Sequence, residues 1–176
     1  MNRPQFRPRG TAPGFTALSL ALSGALSGAL AAPYTSAQYG FTITPPVNWT
    51  QSTVPGFAAD FFLSPTASGK FRANFNVLGA IALGNIGHAS ACQQNAAALP
   101  QVLNAARVLS QHYDAASDTC EITYQASQNG VPIRGLMQLR FNAGNYRALT
   151  YTAARTDYDK WLPQVRAAFK TFKAVR

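Results

Sequence analysis

Phe71-Arg72-Ala73-Asn74-Phe75-Asn76-Val77 is the stretch that decides the fold. Apolar side chains take every second position and polar ones fill the gaps, the two-residue period of a strand with one buried face. Upstream, Phe57, Ala59, Phe61 and Leu63 alternate with Ala58 and Asp60 and stop at Ser64-Pro65. Thr66–Gly69 is then the turn between two paired strands. Further back, Tyr39–Ile43 reads as a short strand that Thr44-Pro45-Pro46 ends, because proline has no N–H to give a ladder. Downstream, the glycine-rich run Gly79–Gly87 closes this first group.

The period then changes. Cys92, Ala96, Leu99, Leu103 and Ala106 fall at steps of four, three, four and three, one stripe of a helix. Ser90 is the expected cap, and Pro100 is expected to kink the helix or divide it in two. Alternation returns in Cys120–Ala126, Ile133–Phe141 and Tyr146–Ala153, with turns at Asn129-Gly130 and at Asn142–Asn145. Last, Trp161, Leu162, Val165, Ala168, Phe169 and Phe172 line one face of a helix. Asp157 is its expected cap, with Pro163 starting the regular part after a separate opening turn. The order β-β-β-α-β-β-β-α predicts an α+β fold, a mostly antiparallel six-stranded sheet flanked by two helical segments.

Composition narrows the class. Of 176 residues, 47% are hydrophobic and 12% charged, which excludes a disordered tail and a coiled coil. Arg3, Arg7 and Arg9 precede the uncharged run Phe15–Leu30, and small residues follow, the layout of an export leader. The expected division is a signal peptide at residues 1–37, cut after Ala31 or Ala37, and a single domain at 38–176. The apolar run falls short of the roughly 20 residues of a bilayer span, so no span is expected after cleavage; a retained anchor is the rival. The expected location is secreted or periplasmic. Removing the leader takes away three arginines and no acid, lowering the net charge from +9 to +6. Such a domain suits an anionic surface polymer or an envelope protein. Specific nucleic-acid binding is not expected, because the bases are scattered. Only Arg166, Lys170, Lys173 and Arg176 recur at helical spacing, on what reads as a solvated face.

Two cysteines, Cys92 and Cys120, lie in the exported part, where an even count points to a disulfide; two separate buried thiols are the alternative. Closing that loop of 29 residues is worth about 3.6 kcal/mol in the chain-entropy estimate. No motif calls for a cofactor, and the cysteines with His88 and His112 lack metal-ligand spacing. Ser68-Gly69-Lys70 fails as a phosphate loop, with Ser64 where the first glycine belongs and Phe71 in place of Ser or Thr. His88 and His112 are the only candidate acid–base pair, but a straight helix between them would hold them about 36 Å apart. Trp49 and Phe57 beside a loop containing Gly84 and Gly87 form a candidate ligand cleft, with Trp49 as a core plug the competing reading.

Tyr39-Gly40-Phe41 with its proline stop and Trp49, the strand Phe71–Val77, Asn129-Gly130, Tyr146–Thr152 and Trp161–Phe172 together resemble the PsbP-like family. That resemblance implies an α/β/α sandwich spanning nearly the whole chain past the leader, and a non-enzymatic accessory or binding protein. Known members include an extrinsic photosystem subunit and small exported bacterial proteins; nothing in these residues argues for photosynthesis. The competing expectations are an exported hydrolase using His88 or His112 and a purely structural envelope component.

Overall fold

Alternating side chains give the middle of the chain two usable faces, and a helix covers each. The structure, a computed structural model, describes residues 30–175. Its elements in chain order are β1 (Tyr34–Ser36), β2 (Phe41–Ile43), β3 (Thr50–Ser52), β4 (Ala59–Ser68), β5 (Phe71–Leu78) and β6 (Ile81–Ala82). Then follow α1 (His88–Val102), β7 (Arg107–Asp114), β8 (Thr119–Gln128), β9 (Val131–Asn142), β10 (Asn145–Ala154), α2 (Tyr158–Lys170) and β11 (Lys173–Ala174).

Eight strands make the main sheet, in the order β3-β4-β5-β10-β9-β8-β7, with β6 also pairing to β10. A second sheet of three short strands runs β1-β2-β11. Every described strand pairing is antiparallel. The path is economical. After β5 the chain crosses one face as α1 and reaches the far edge, then returns strand by strand until β10 pairs with β5. Asn129 and Gly130 turn β8 into β9 with φ of 51° and 77°, the doubly positive geometry that matches strand twist.

Two cores result. On one face, Cys92, Ala96 and Leu99 of α1 pack on Cys120, Ile122, Tyr124, Ile133 and Leu139. On the other, Trp161, Val165 and Phe169 of α2 pack on Phe62, Phe75, Leu136, Leu149 and Tyr151. The aromatics there interlock: Phe62 stacks on Phe75 at 4.6 Å, and Phe169 meets Phe75 edge-on at 5.6 Å. The Sγ atoms of Cys92 and Cys120 stand 2.08 Å apart, a disulfide that fastens α1 to β8.

Several expectations need correcting. The main sheet has eight strands instead of six because β3, β6 and β7 also join it, while Phe41–Ile43 goes to the small sheet. β7 is an edge strand whose bulge between Val108 and Ser110 breaks the two-residue period, and most of its side chains are exposed. The predicted helical stripe ran on to Ala106, but α1 stops at Val102 and the chain turns at Ala105, whose φ is 51°. Pro100 lies inside a single helix, α1, so the division into two at that residue does not occur, and neither Ser90 nor Asp157 supplies a side-chain cap. Pro163 sits within one continuous α2. Residues 34–36, which a cut after Ala37 removes and a cut after Ala31 keeps, form β1 and pair with β2. Of the expected leader, residues 1–29 lie outside the described residues.

Candidate functional site

On the α2 side of the sheet, the helix covers β5, β10 and part of β9, Tyr34 of the small sheet lies against Phe62 of β4, and β7 and β8 stay open. Register lays their outward side chains in rows. His112 on β7, Glu121 on β8 and Gln138 on β9 form one row; Asp114, Thr119 and Arg140 form the next. With Ser110 and Ser117 they line a groove of about 360 Å³.

A hydrogen-bond chain fixes this surface. Arg166 of α2 grips Glu121 with two bonds, Nη2–H to Oε1 at 2.6 Å and Nη1–H to Oε2 at 2.8 Å. Gln138 donates to the same Oε2 at 2.9 Å and accepts from Arg140 at 3.1 Å. Arg140 also donates to Thr119 Oγ1 at 3.1 Å. Below it, Ser117 donates to Asp114 at 2.6 Å, and the Ala116 N–H adds a bond at 2.9 Å. The Arg166 fork, helped by Gln138, holds the Glu121 carboxyl below its ordinary range against the opposing effect of burial. Asp114 is lowered too, chiefly by the Ser117 hydroxyl. Burial pushes the Arg140 guanidinium down from its usual value, countered by Glu121.

Arg166 departs from expectation. Its helical spacing with Lys170, Lys173 and Arg176 suggested a solvated face, but it turns to the sheet, and Lys173 lies in β11 beyond the helix. Arg176 lies outside the described residues.

His88 and His112 are not brought together. His112 lines the groove, while the His88 ring stacks on Phe141 at 4.4 Å, on the α1 side. His88 Nδ1 is 2.7 Å from Asp118 Oδ1, and the Tyr113 hydroxyl donates to that oxygen at 2.8 Å. This cluster ties the start of α1 to the β7–β8 turn, beside the disulfide. Asp118 was missed in the sequence because its partners lie 30 residues back and five back, with no shared period.

The proposed cleft residues also part company. Trp49 is buried between Phe75 at 5.6 Å and Trp161 at 5.8 Å, whereas Phe57 is exposed and meets Phe61. Gly84 and Gly87 belong to the loop before α1, and neither described cavity is lined by any of the four. Glu121, Gln138 and Arg140 take the place of that cleft; the signal for them was the polar half of each alternation.

No family model matches the sequence, and no curated protein matches it. Solved structures do. The cyanobacterial PsbP protein CyanoP from Synechocystis is 12% identical, with a TM-score of 0.58 over 86% of this chain and 95% of that one. The fold is PsbP-like. LpqN of Mycobacterium tuberculosis, described as involved in cell envelope biogenesis, shares it at 12% identity and a TM-score of 0.57, over 82% and 90% of the two chains. So does the Ran-binding protein Mog1p of Saccharomyces cerevisiae, at 8% identity and a TM-score of 0.55, over 77% and 90%. The PsbP-like fold here carries its groove where α2 leaves the sheet bare. No helix among the described residues is long and apolar enough to cross a membrane.

Proposed function

We propose that this is an exported domain that works by binding rather than by catalysis, with an envelope protein as its partner on the groove between α2 and β7. One observation carries the reading: the charged groups of the groove already hold one another. Glu121 is taken by Arg166 and Gln138, Arg140 by Gln138 and Thr119, and Asp114 by the β7–β8 turn. Groups tied in this way offer a rigid pattern of donors and acceptors, which suits recognition at low ordering cost. General acid–base work needs a group aimed at a substrate proton, and the two histidines lie on opposite faces. The leader pattern and the Cys92–Cys120 bridge support export. LpqN's envelope role and Mog1p's protein-binding role are compatible with this use of the fold.

A photo-crosslinking residue at Ser110, in the groove, is expected to give a discrete adduct in intact cells, and one at Gln101, exposed on α1, is expected to give none. Equal yields at both positions, or none at either, would reject the groove. A second reading, an anionic surface polymer, is favoured by the net charge of +6 after leader removal. Its mark is retention on an acidic matrix that falls steeply with salt.

A further inference from the structure

We propose that a second cavity, at the other end of the β8–β9 ladder from the groove, is a site for a phosphate-class oxyanion, built from Lys70, Arg155, Ser68 and Thr156. It goes beyond the groove reading and does not depend on it. Three segments that are remote in sequence meet there: the β4–β5 turn brings Ser68 and Lys70, the start of β9 brings Val131 and Pro132, and the link from β10 to α2 brings Arg155 and Thr156. The Arg155 N–H donates to the Pro132 carbonyl at 2.9 Å and ties two of these segments together. The space is about 320 Å³.

Charge separates this cavity from the groove. There, Arg166 and Arg140 are engaged by Glu121, Gln138 and Thr119, and two carboxylates share the lining. Here no carboxylate lines the space. Among the described residues neither Lys70 nor Arg155 has an acid within 4.0 Å. Two uncompensated cations therefore border one concavity with two hydroxyls. The backbone N–H of Thr156, just ahead of α2, has no hydrogen-bond partner among the described residues. A tetrahedral oxyanion uses that set: charge from Lys70 and Arg155, and donors from Ser68, Thr156 and the free N–H. Both cations are exposed, so binding is salt-sensitive and selective for multiply charged anions. A single free phosphate and a phosphate carried on a polymer present the same group to it.

The test titrates the full chain at low ionic strength with inorganic phosphate and with long-chain polyphosphate, by calorimetry. Three proteins are compared: the parent, the double variant Lys70→Ala/Arg155→Ala, and Lys170→Ala/Lys173→Ala, which removes the same charge elsewhere. The first pair is expected to weaken phosphate binding about tenfold or more, and the second to change it less than about twofold. If polyphosphate binds far more tightly than phosphate and loses that advantage in Lys70→Ala/Arg155→Ala alone, the site serves a polymer; comparable affinity per phosphate marks a free anion. Absence of saturable phosphate binding to the parent overturns the proposal, as does equal weakening by both double variants. Crosslinking at Ser110 is unaffected by either result, so the two readings fail separately.

Discussion

The ring of Tyr124 on β8 lies across Gly135, its register partner on β9, so closely that a Cβ at that glycine would sit inside the ring. The Tyr124 hydroxyl then reaches Thr152 Oγ1 on β10 at 3.3 Å, so one side chain spans three strands. Gly135 has an ordinary strand conformation, and space alone explains its lack of a side chain. Gly135→Ala is expected to destabilise the fold by about 2–3 kcal/mol, because the ring must leave a fully packed core. Chemical denaturation reads this directly, and a variant as stable as the parent would show that the ring moves at no cost.

The Arg166–Glu121 pair fastens α2 to the strands that carry the groove. Replacing Arg166 by Met keeps the packing of its stem and leaves Glu121 half-buried without its main partner. The expected loss at neutral pH is about 1–2 kcal/mol, discounted because both groups are partly exposed. Its pH dependence has a defined sign. Glu121 has a lowered pKa in the folded state, so its contribution is complete above the ordinary glutamate value and fades as the pH falls through the folded one. The stability gap between parent and Arg166→Met is therefore constant near neutrality and narrows below about pH 4.5. A gap that widens in acid would contradict this account of the pair.

Removing the disulfide tests the other face. Cys92 and Cys120 are fully buried, and the small side chains of Ala91 and Ala96 give α1 little apolar area of its own. The double variant Cys92→Ala/Cys120→Ala is expected to lose about 3–4 kcal/mol relative to the oxidised parent. A thiol-labelling assay on the native protein should find no reactive cysteine, and melting in the presence of a reductant should fall toward the variant's midpoint. An unchanged midpoint under full reduction would mean that α1 packs well enough without the bridge.

What the sequence disclosed tracks how strongly each element alternates. Cys120–Ala126 faces a core on one side, so its period is clean; Ile133–Phe141 keeps Ile133 and Leu139 on the α1-side core while Leu136 joins the α2-side core, and enough alternation remained for both to be legible. β7 was not, since only Val108 and Tyr113 approach the α1-side core and Leu109 is spent in a bulge. β3, β6 and β11 have two or three residues each and owe their form to neighbours already in place. The candidate site was half visible. Glu121, Gln138 and Arg140 appeared as the polar halves of their strands, but which half stays uncovered depends on how far α2 reaches across the sheet. Trp49 beside Phe57 resembled a cleft because adjacency in sequence does not tell which aromatic turns inward.

The two cleavage positions expected for an export leader differ in what they would leave behind. Cutting after Ala37 removes β1. Tyr34 meets Phe62 edge-on at 5.2 Å and Phe41 at 6.2 Å, and its hydroxyl accepts from Gln51 at 2.7 Å. Ser36 is buried, takes the Gly40 N–H on its carbonyl at 2.9 Å and offers its hydroxyl to the Tyr39 N–H. Cutting after Ala31 keeps all of these and, among the described residues, gives up Leu30 and Ala31, which pair with Pro46 and Pro45. Processing after Ala31 is therefore the expected route, with Ala32 as the first residue. Intact-mass measurement of the exported protein reads the answer to a single residue. A recombinant form starting at Gln38 should also be less stable than one starting at Ala32, by about 1–2 kcal/mol for the partly buried Tyr34 ring and its partners. Equal stability of the two forms, or a native N-terminus at Gln38, would show that β1 is dispensable and that β2 and β11 suffice to cover Phe62.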